Sequence, residues 1–284
     1  MPPPSPRLSV CIVTFRRAAR LQENLDHLLA EDLPEREIVV VDGGSTDGTR
    51  ELLQSYGDRV RWISERDRGE YDAWNKAFAL ARGDIVKWLP DDDSLRHGAS
   101  RVALNYLDAH PDIDIVWGQA QLWNEDAQGQ RTDAGLTQVH DPTRLSKRTL
   151  LRQRHGLNSV ATFMRKALVQ RLGPLRTDMT CGDTEFWVRA ASNGAKMALI
   201  PDVLVDYVIT GENGVITKNW RLSRDVLRIN LQYGEPADVL FTLWDRRSSL
   251  AGVPTLMHQI GQLSHRAGFH PLRRIRAMRA KLGV

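Results

Sequence analysis

Short runs of apolar, mostly β-branched residues alternate with helix-like stretches along the first 118 residues of the chain. Between the runs, apolar residues recur at helical spacing and predict four helices. Two lie at about 18–30 and 98–109, one ends at about Tyr56, and one ends at Ala81. This alternation is typical of βαβ units, so it predicts an α/β fold with a mostly parallel sheet flanked by helices. The apolar runs predict strands at Leu8–Thr14, Glu37–Asp42, Arg59–Ser64, Asp84–Leu89 and Ile113–Gly118.

The second half of the chain has a more mixed pattern. Residues 119–135 predict an exposed hairpin or loop, residues 219–233 predict a helix, and the rest is a basic tail. Further short elements are predicted as strands at Val160–Met164, Lys196–Ile200 and Val203–Val208, and as helices at Arg165–Leu172 and Gly182–Ser192.

Polar residues follow the first four predicted strands. In open α/β sheets, ligands bind at the carboxyl ends of the strands, so we expect these polar loops to meet at one crevice. The residues at these ends are Thr14, Asp42, Glu65–Asp67 and Asp91–Asp93.

Length and charge divide the chain into a body and a tail. Its 284 residues suggest one α/β domain of ordinary enzyme size with an extension. The net charge is +4, but there is no Asp or Glu beyond Asp245, and that segment carries eight Lys or Arg. Residues 1–245 are therefore acidic, at −4. An acidic body with a basic tail argues against a main surface that binds nucleic acid.

Several protein classes are excluded by what the sequence lacks. Cys11 and Cys181 are too few for a disulfide framework or a zinc site, and we expect both to be buried free thiols. No apolar run approaches the ~20 residues of a membrane span, and the proline-rich start has no apolar signal region. These features predict a reducing, cytoplasmic location. The motifs GxxxxGK(S/T) and GxGxxG are absent, which argues against a P-loop kinase and a nicotinamide enzyme.

Asp42 stands at the end of an apolar strand, where an unpaired charge is costly. One interpretation is a cap for the loop Gly43–Asp47. The other is an acceptor for a nucleobase, because a carboxylate can accept the imide N–H of uracil or the ring N–H of guanine. Adenine has no such ring donor, so this second interpretation disfavours ATP.

Asp91, Asp92 and Asp93 are three successive carboxylates, which repel one another unless a cation offsets them. Mg²⁺ and Mn²⁺ prefer one or two carboxylates together with phosphate oxygens, so a metal site is one interpretation. The alternative is an acidic turn that caps the next helix.

Asp183 and Glu185 lie near the start of a predicted helix. Two residues apart, they diverge by about 200° and cannot share one role. Asp183 can point into the crevice, either as a helix cap or as a general base.

Six segments in sequence order resemble glycosyltransferase family 2, which has the GT-A fold, and the similarity covers about residues 8–210. The chain is most similar in type to the bacterial enzymes that build cell-surface polysaccharides. The segments are Ser9–Thr14, Val41–Thr49, Ser64–Lys76, Ala81–Asp84, Trp88–Asp93 and Gly182–Phe186.

This resemblance implies an inverting transfer of a sugar from a UDP- or GDP-sugar to a hydroxyl of a glycan or lipid-linked acceptor. Thr14 and Asp42 would line the nucleobase pocket, and Asp183 would be the base that acts on the acceptor. Asp92 and Asp93 match the paired aspartates of the family, with Asp93 as the ligand of Mn²⁺ or Mg²⁺. The donor nucleotide and sugar would also be bordered by Arg16, Gly44, Ser45, Asp67, Tyr71, Asn75, Lys76 and Asp91.

Some positions depart from the family pattern. Glu70 and Trp74 stand where related sequences commonly carry an aliphatic residue and Met, close to the expected donor sugar, so the donor is open. The stretch Leu157–Phe163 lacks the His-Gln pair that is frequent in this subgroup, which predicts an atypical acceptor.

The resemblance also divides the chain. Residues 1–7 form a disordered lead and 8–215 the GT-A domain, with a nucleotide-binding half at 8–118 and an acceptor half at 119–215. Residues 216–284 form a helical, basic extension. Apolar residues near its end recur at helical spacing among basic ones, so the tail either lies on anionic lipid at the inner membrane, or docks on the acidic body or another subunit. These apolar residues are Leu272, Ile275, Met278 and Leu282.

Two other functions compete with a glycosyltransferase. A nucleotidyltransferase shares the sheet and the carboxylates, but it would need a glycine-rich phosphate loop, and Thr14–Ala18 contains no glycine. A non-catalytic sugar-nucleotide-binding or scaffold protein could keep the same fold. Release of nucleoside diphosphate from a sugar nucleotide distinguishes the enzyme from the scaffold.

Overall fold

A computed structural model describes residues 5–137, 146–151, 158–210 and 220–245. Its strands are β1 Leu8–Thr14, β2 Arg36–Asp42, β3 Arg61–Ser64, β4 Ile85–Trp88, β5 Ser94–Leu95, β6 Ile115–Glu125, β7 Arg131–Leu136, β8 Thr162–Arg165 and β9 Met197–Ile209. Its helices are α1 Ala18–Leu29, α2 Thr49–Tyr56, α3 Glu70–Leu80, α4 Ala99–Ala109, α5 Lys147–Leu151, α6 Lys166–Leu172, α7 Gly182–Ser192, α8 Trp220–Tyr233 and α9 Pro236–Asp245. The α/β fold expected from the sequence is confirmed.

The sheet places the first polar loops side by side. In the part of the chain that the structure describes, its strand order is β3-β2-β1-β4-β8-β6-β9-β5, and β7 pairs with β6. The strands β1 to β4 are parallel, as predicted. Their register pairs Thr14 with Asp42 and Asp42 with Ser64, so these strand ends meet at one edge of the sheet.

β8 joins the two halves of the sheet. It lies antiparallel between β4 and β6, and it pairs Phe163 with both Lys87 of β4 and Val116 of β6. A 3₁₀ turn at Ser159–Ala161 leads directly into β8. This turn therefore lies beside the carboxyl end of β4, where the three aspartates begin.

Two predicted strands, Lys196–Ile200 and Val203–Val208, form the single strand β9, which runs parallel to β6. The register shifts between Trp117 and Gln119 of β6, so β9 bulges there and continues past the exposed Pro201. β6 extends to Glu125 and forms, with β7, the hairpin predicted as one alternative for 119–135.

The core lies on both faces of the sheet, because successive strand residues point in opposite directions. Val10 and Ile12 of β1 pack in the cluster that also contains residues of α1, α2 and α4. Cys11 packs in the second cluster, with residues of α3 and α7. Cys11 and Cys181 are buried free thiols, as predicted.

Residues 236–245, which lie in the segment predicted to be a helical, basic extension, form α9. Pro236 is the first residue of that helix, where its missing N–H leaves no bond unmade. The Asp238 carboxylate accepts the backbone N–H of Glu235 at 3.2 Å. The basic residues beyond Asp245, with the predicted tail helix, lie outside the described residues, as do residues 1–4 of the lead. None of the helices in the described ranges combines the length and hydropathy that a membrane crossing needs.

Candidate active site

The first two aspartates after β4 are held by the last residue of β1 and by a residue of the loop that follows it. Thr14 Oγ1 donates to Asp91 Oδ2 at 2.6 Å, and Arg17 Nη1 donates to Asp91 Oδ1 at 3.1 Å and to Asp92 Oδ2 at 3.0 Å. Burial raises the pKa of Asp91, while Thr14 and Arg17 act to lower it. Arg17 therefore offsets part of the repulsion expected among the three carboxylates.

Asp93 is compensated less, by the charge of the buried Lys87 and by one backbone N–H. It is 1% exposed, and Oδ1 accepts the backbone N–H of Val208 at 2.9 Å. Oδ2 is buried and has no hydrogen-bond partner within the described ranges. Burial, followed by the charge of Asp92, raises the pKa of Asp93 well above its ordinary value. A buried carboxylate oxygen without a partner is costly, so it marks a place where a bound cation would stabilise the protein.

The residues present fit a divalent cation that shares its ligands with a substrate. Among the described residues, no three His, Cys, Asp or Glu side chains are grouped to hold a metal ion by themselves. Mg²⁺ is commonly bound by one or two carboxylates plus phosphate oxygens and water. The unpartnered oxygen of Asp93 would supply one such ligand, and Asp92 lies next to it in the chain.

Asp42 organises the loop after β2. It is fully buried, and its carboxylate accepts the Ser45 backbone N–H at 3.0 Å, the Ser64 hydroxyl at 2.6 Å and the Ser45 hydroxyl. The Ser45 hydroxyl in turn accepts the Arg16 backbone N–H at 2.7 Å. Gly44 has a φ of 81°, a left-handed conformation that favours glycine in this tight loop. These contacts match the capping interpretation of Asp42, and its direct contact with a base stays a prediction.

A cleft of ≈ 370 Å³ opens between the loops after β1, β2 and β3. Phe15 is 53% exposed, and the Arg16 guanidinium lies 5.0 Å from the centroid of its ring. The cleft thus joins an aromatic face to two exposed guanidinium groups and one carboxylate. Its lining residues are Phe15, Arg16, Gly43, Gly44, Arg66 and Asp67.

The backbone of this cleft is built for close approach. Arg16 has a φ of 56°, which is uncommon for a residue other than glycine and is typical of strained functional sites. A Cβ atom at Gly43 would lie 2.7 Å from Asp67 Oδ2 and 3.2 Å from Phe15 Cδ2, so a side chain at this position would require Asp67 to move. The Asp67 carboxylate also accepts the backbone N–H of Gly69 at 2.9 Å and so holds its own loop.

Two predicted donor-binding residues, Asn75 and Lys76, do not line this cleft. The Asn75 amide exchanges hydrogen bonds of 2.9 and 2.8 Å with the backbone of Leu175. Lys76 Nζ lies 2.8 Å from Glu65 Oε1 and donates to the backbone oxygen of Arg66 at 3.2 Å. Asn75 therefore fixes α3 to the loop before α7, and Lys76 fixes α3 to the loop after β3.

Asp183, in the first turn of α7, accepts hydrogen bonds from three neighbours. Its Oδ1 accepts the Tyr71 hydroxyl at 3.3 Å and the Thr184 backbone N–H at 2.7 Å, and its Oδ2 accepts the Ser159 hydroxyl at 2.9 Å. Burial, followed by the charge of Asp183, raises the pKa of Tyr71. Tyr71 and Ser159 therefore come from two different elements and meet at one carboxylate.

Glu185 has separate contacts, as its position two residues along the helix predicts. It is buried, and it accepts the Tyr233 hydroxyl at 2.6 Å and Arg189 Nη2 at 3.1 Å. Glu185 thus joins α7 to α8, and it shares none of these partners with Asp183.

Helix α8 also holds the loop that leads into α7. Asp225 is fully buried and accepts the Thr180 backbone N–H at 2.8 Å and the Thr180 hydroxyl at 2.9 Å. Arg176 and Arg228 both bond to Asp178 of the same loop and hold the pKa of its carboxyl below the ordinary value. Helix α8, in the predicted extension, therefore supports the segment that carries Asp183. This support was not predicted from the sequence.

Three further residues of the site were not singled out from the sequence. Phe15 and Arg17 belong to the loop after β1, whose aromatic and basic residues were the available signal. Ser159 belongs to the stretch Leu157–Phe163, which lacks the family's His-Gln pair. This difference from the family was the available signal for Ser159. The contact of Ser159 with Asp183 joins residues that are 24 positions apart, and no spacing in the sequence predicts it.

Comparison with known proteins agrees with this geometry. Residues 9–173 match the family model described as glycosyl transferase family 2. A PGL/p-HBAD biosynthesis glycosyltransferase of Mycobacterium bovis is 31% identical over 209 residues, which cover 71% of this chain and 76% of that protein. Glycosyltransferase AglE of Haloferax volcanii is 24% identical over 238 residues, 79% of this chain and 74% of that protein.

Solved structures are similar in fold. The mannosyltransferase PcManGT from Pyrobaculum calidifontis, in complex with GDP-Man and Mn²⁺, matches with a TM-score of 0.59 at 21% identity over 97% of this chain and 84% of that chain. S. aureus TarS 1-349 in complex with UDP-GlcNAc matches with a TM-score of 0.61 at 18% identity over 87% and 73%. A longer TarS chain also matches, and this chain spans 43% of its length.

Proposed function

Because the chain belongs to glycosyl transferase family 2, we propose that it is an inverting, metal-dependent glycosyltransferase that uses a UDP- or GDP-sugar. The observation that carries the proposal is that two sets of carboxylates, three after β4 and one on α7, lie near the carboxyl end of β4. Asp91, Asp92 and Asp93 follow β4, and Asp183 is fixed by the turn Ser159–Ala161, which lies beside the end of β4. Asp91–Asp93 would face the departing diphosphate, and Asp183 would face the attacking hydroxyl.

The cleft beside Phe15 has the chemistry that a nucleoside diphosphate requires. An exposed aromatic ring offers a face on which a base can stack. The guanidinium groups of Arg16 and Arg66 are exposed, and within the described residues neither has an ion-pair partner. Arginine suits phosphate because its planar donors match the phosphate oxygens. We therefore place the base against Phe15 and the diphosphate between the cleft and Asp93.

Removal of the Phe15 ring is expected to weaken binding of UDP or GDP on the order of 10-fold, since stacking contributes ~1–3 kcal/mol per base. Calorimetric titration of Phe15→Ala with each nucleotide measures the change, and Phe15→Tyr should bind like the wild type. Leu231→Ala is the matched control, because Leu231 is another exposed apolar residue, on α8. Unchanged affinity in Phe15→Ala would place the base elsewhere.

Asp93 is the residue that we assign to the metal. When bound, Mn²⁺ or Mg²⁺ would offset the negative charge on the departing nucleoside diphosphate. Arg17 already neutralises part of the charge of Asp91 and Asp92. That neutralisation lets a diphosphate approach the end of β4, where three uncompensated carboxylates would repel it.

Asp183 is the residue that we assign to the proton. It takes the proton of the acceptor hydroxyl as that oxygen attacks the anomeric carbon of the donor sugar. The bond from this carbon to the diphosphate oxygen breaks, and the electron pair leaves with the nucleoside diphosphate. Attack from the face opposite the leaving group inverts the anomeric configuration in one displacement.

The acceptor that we propose is a hydroxyl of a glycan or a lipid-linked glycan in the synthesis of surface polysaccharides. The mycobacterial relative is described as a glycosyltransferase of PGL/p-HBAD biosynthesis, which supports a glycoconjugate acceptor. Contact of the basic tail with the cytoplasmic face of the inner membrane stays a prediction, because residues 246–284 lie outside the described residues.

A donor panel tests the proposed function. The full-length chain is incubated with Mn²⁺ or Mg²⁺ and with UDP-N-acetylglucosamine, GDP-mannose and other UDP- and GDP-sugars, and released nucleoside diphosphate is measured. We expect release from at least one donor, and its loss after addition of EDTA. Binding of a donor without release would support the non-catalytic alternative, and release that EDTA leaves unchanged would contradict the metal dependence.

A further inference from the structure

Ser159 connects Asp183 to the core of the protein. Its hydroxyl donates to Asp183 Oδ2 at 2.9 Å, and the same oxygen accepts the indole N–H of Trp187 at 3.1 Å. Trp187 is 2% exposed and lies on α7, one turn after Asp183. From these contacts we infer that Ser159 is a positioning residue that orients the Asp183 carboxylate for proton transfer, an inference that rests on the proposed function.

The direction of the Ser159 proton follows from its two partners. A hydroxyl has one donor hydrogen and two acceptor lone pairs. The indole N–H of Trp187 can only donate, so it occupies a lone pair of the Ser159 oxygen. The one Ser159 proton is then directed at Asp183, whose carboxylate can only accept. The two hydrogen bonds therefore run in one direction, from the Trp187 N–H to the Ser159 oxygen and from the Ser159 O–H to Asp183, and each strengthens the other.

The backbone around Ser159 is fixed to β4. Trp88 at the end of β4 donates its indole N–H to the backbone oxygen of Ser159, and the Thr162 hydroxyl donates to that oxygen at 2.6 Å. The fully buried Lys87 donates Nζ to the backbone oxygen of Val160. Two successive side chains of one strand therefore hold this turn, so the position of Ser159 is set by β4.

The rings that carry these bonds are packed against each other. Trp88 and Trp187 meet edge to face with centroids 5.2 Å apart, and Trp74 lies 5.6 Å from Trp88. Such pairs have little freedom to rotate in a close-packed core. Because β4 leads directly into Asp91–Asp93, the same strand sets the position of the metal-side carboxylates and, through Ser159, the orientation of Asp183.

The coupling can be tested without a donor, through the indole N–H resonance of Trp187 in the full-length protein. A ¹⁵N-labelled sample gives this resonance, and Trp187→Phe assigns it. We expect Ser159→Ala and Asp183→Asn each to shift the proton upfield, because each weakens the acceptor of the Trp187 N–H. Ser159→Thr, which keeps the hydroxyl, should leave it near the wild-type position. Asp112→Asn is the control, since this exposed carboxylate pairs with Lys196 on the surface and should leave the resonance unmoved.

Kinetics with the donor that the panel identifies test the consequence, with water or acceptor as the second substrate. We expect Ser159→Ala to lower kcat ~10- to 100-fold, as a misplaced catalytic group does, with KM for the donor within about 2-fold of the wild type. Ser159→Thr should recover most of kcat, and Ser55→Ala should match the wild type, because Ser55 is an exposed residue whose hydroxyl donates to the backbone oxygen of Leu52 within α2.

The inference would be overturned by a Trp187 resonance that neither Asp183→Asn nor Ser159→Ala moves, or by a kcat that Ser159→Ala leaves unchanged. A Ser159→Thr variant as impaired as Ser159→Ala would also contradict it. Failure of the wild type to cleave any sugar nucleotide would count against the proposed function instead. The resonance shifts, recorded without a donor, decide separately whether Ser159 orients Asp183.

Discussion

Replacement of Asp183 by Asn is expected to lower sugar transfer by ~10²–10⁴-fold, the range that a general base contributes. Asn keeps the shape of Asp, but it has a single carbonyl oxygen, whereas Tyr71 and Ser159 donate to different oxygens of Asp183. It can therefore accept only one of these two hydroxyls in the same arrangement, and it cannot take a proton at neutral pH. The cleft that we assign to the nucleotide is lined by Phe15 and Arg16, which do not contact Asp183. Binding of UDP or GDP should therefore change little.

Turnover of the donor from the panel and calorimetric binding of its nucleotide measure the two halves of this prediction. Asp112→Asn is a suitable control, because Asp112 is exposed and pairs with Lys196 on the surface. Turnover in Asp183→Asn close to that of the wild type would remove Asp183 from the role of base. Loss of nucleotide binding together with turnover would indicate that Asp183 holds the site together.

Replacement of Asp93 by Asn is expected to abolish metal-dependent turnover and, at the same time, to stabilise the metal-free protein. A bound metal contributes several kcal/mol of charge stabilisation, so its loss should lower the rate ~10³-fold or more. The pKa of Asp93 is raised by burial, so the charged form of this carboxyl is more costly in the folded protein than in the unfolded chain. Asn removes this charge and can still accept the Val208 N–H.

Thermal unfolding in EDTA and turnover over a range of Mn²⁺ concentrations test this pair of effects. Because a raised carboxyl pKa favours the protonated folded state, the wild type should lose stability relative to Asp93→Asn as the pH rises above the ordinary carboxyl pKa, and the two should converge at acid pH. Added Mn²⁺ should raise the melting temperature of the wild type and leave that of Asp93→Asn unchanged. Equal stabilisation of both by Mn²⁺ would place the metal on other ligands.

Much of the fold could be predicted from local patterns. β1 and α7 begin and end where the sequence predicted, since buried strands and amphipathic helices carry their signal in adjacent residues. β9 was divided in two because Pro201 is a strong local signal against a strand interior. The bulge opposite Gly118 that accommodates this proline depends on β6, about 80 residues earlier in the chain. A short stretch of sequence around Pro201 therefore cannot show that pairing with β6 allows the strand to continue past it.

The site shows the same division. That the residues at the ends of β1 and β2 lie side by side could be predicted, because parallel strands deliver their ends to one edge. The hydrogen-bond partners of each side chain could not be predicted. Asn75 reaches the backbone of Leu175, 100 residues away, and Arg17 reaches Asp91, 74 residues away. The roles assigned to Asp183 and Asp93 came from the family resemblance, and they stay predictions that the variants above test.

The antiparallel pairing of β4 with β8 has a consequence for how the chain folds. It brings Ile85 beside Arg165, 80 residues apart, whereas β1 and β2 are joined through the single helix α1. Closing a long loop costs more entropy than closing a short one, and contacts of long sequence separation slow folding. We therefore expect the cleft beside Phe15 to form from local βαβ contacts before the pairing of β4 with β8 brings Ser159 to Asp183. A nascent chain would then form the proposed nucleotide-binding cleft before the proposed catalytic base is in position.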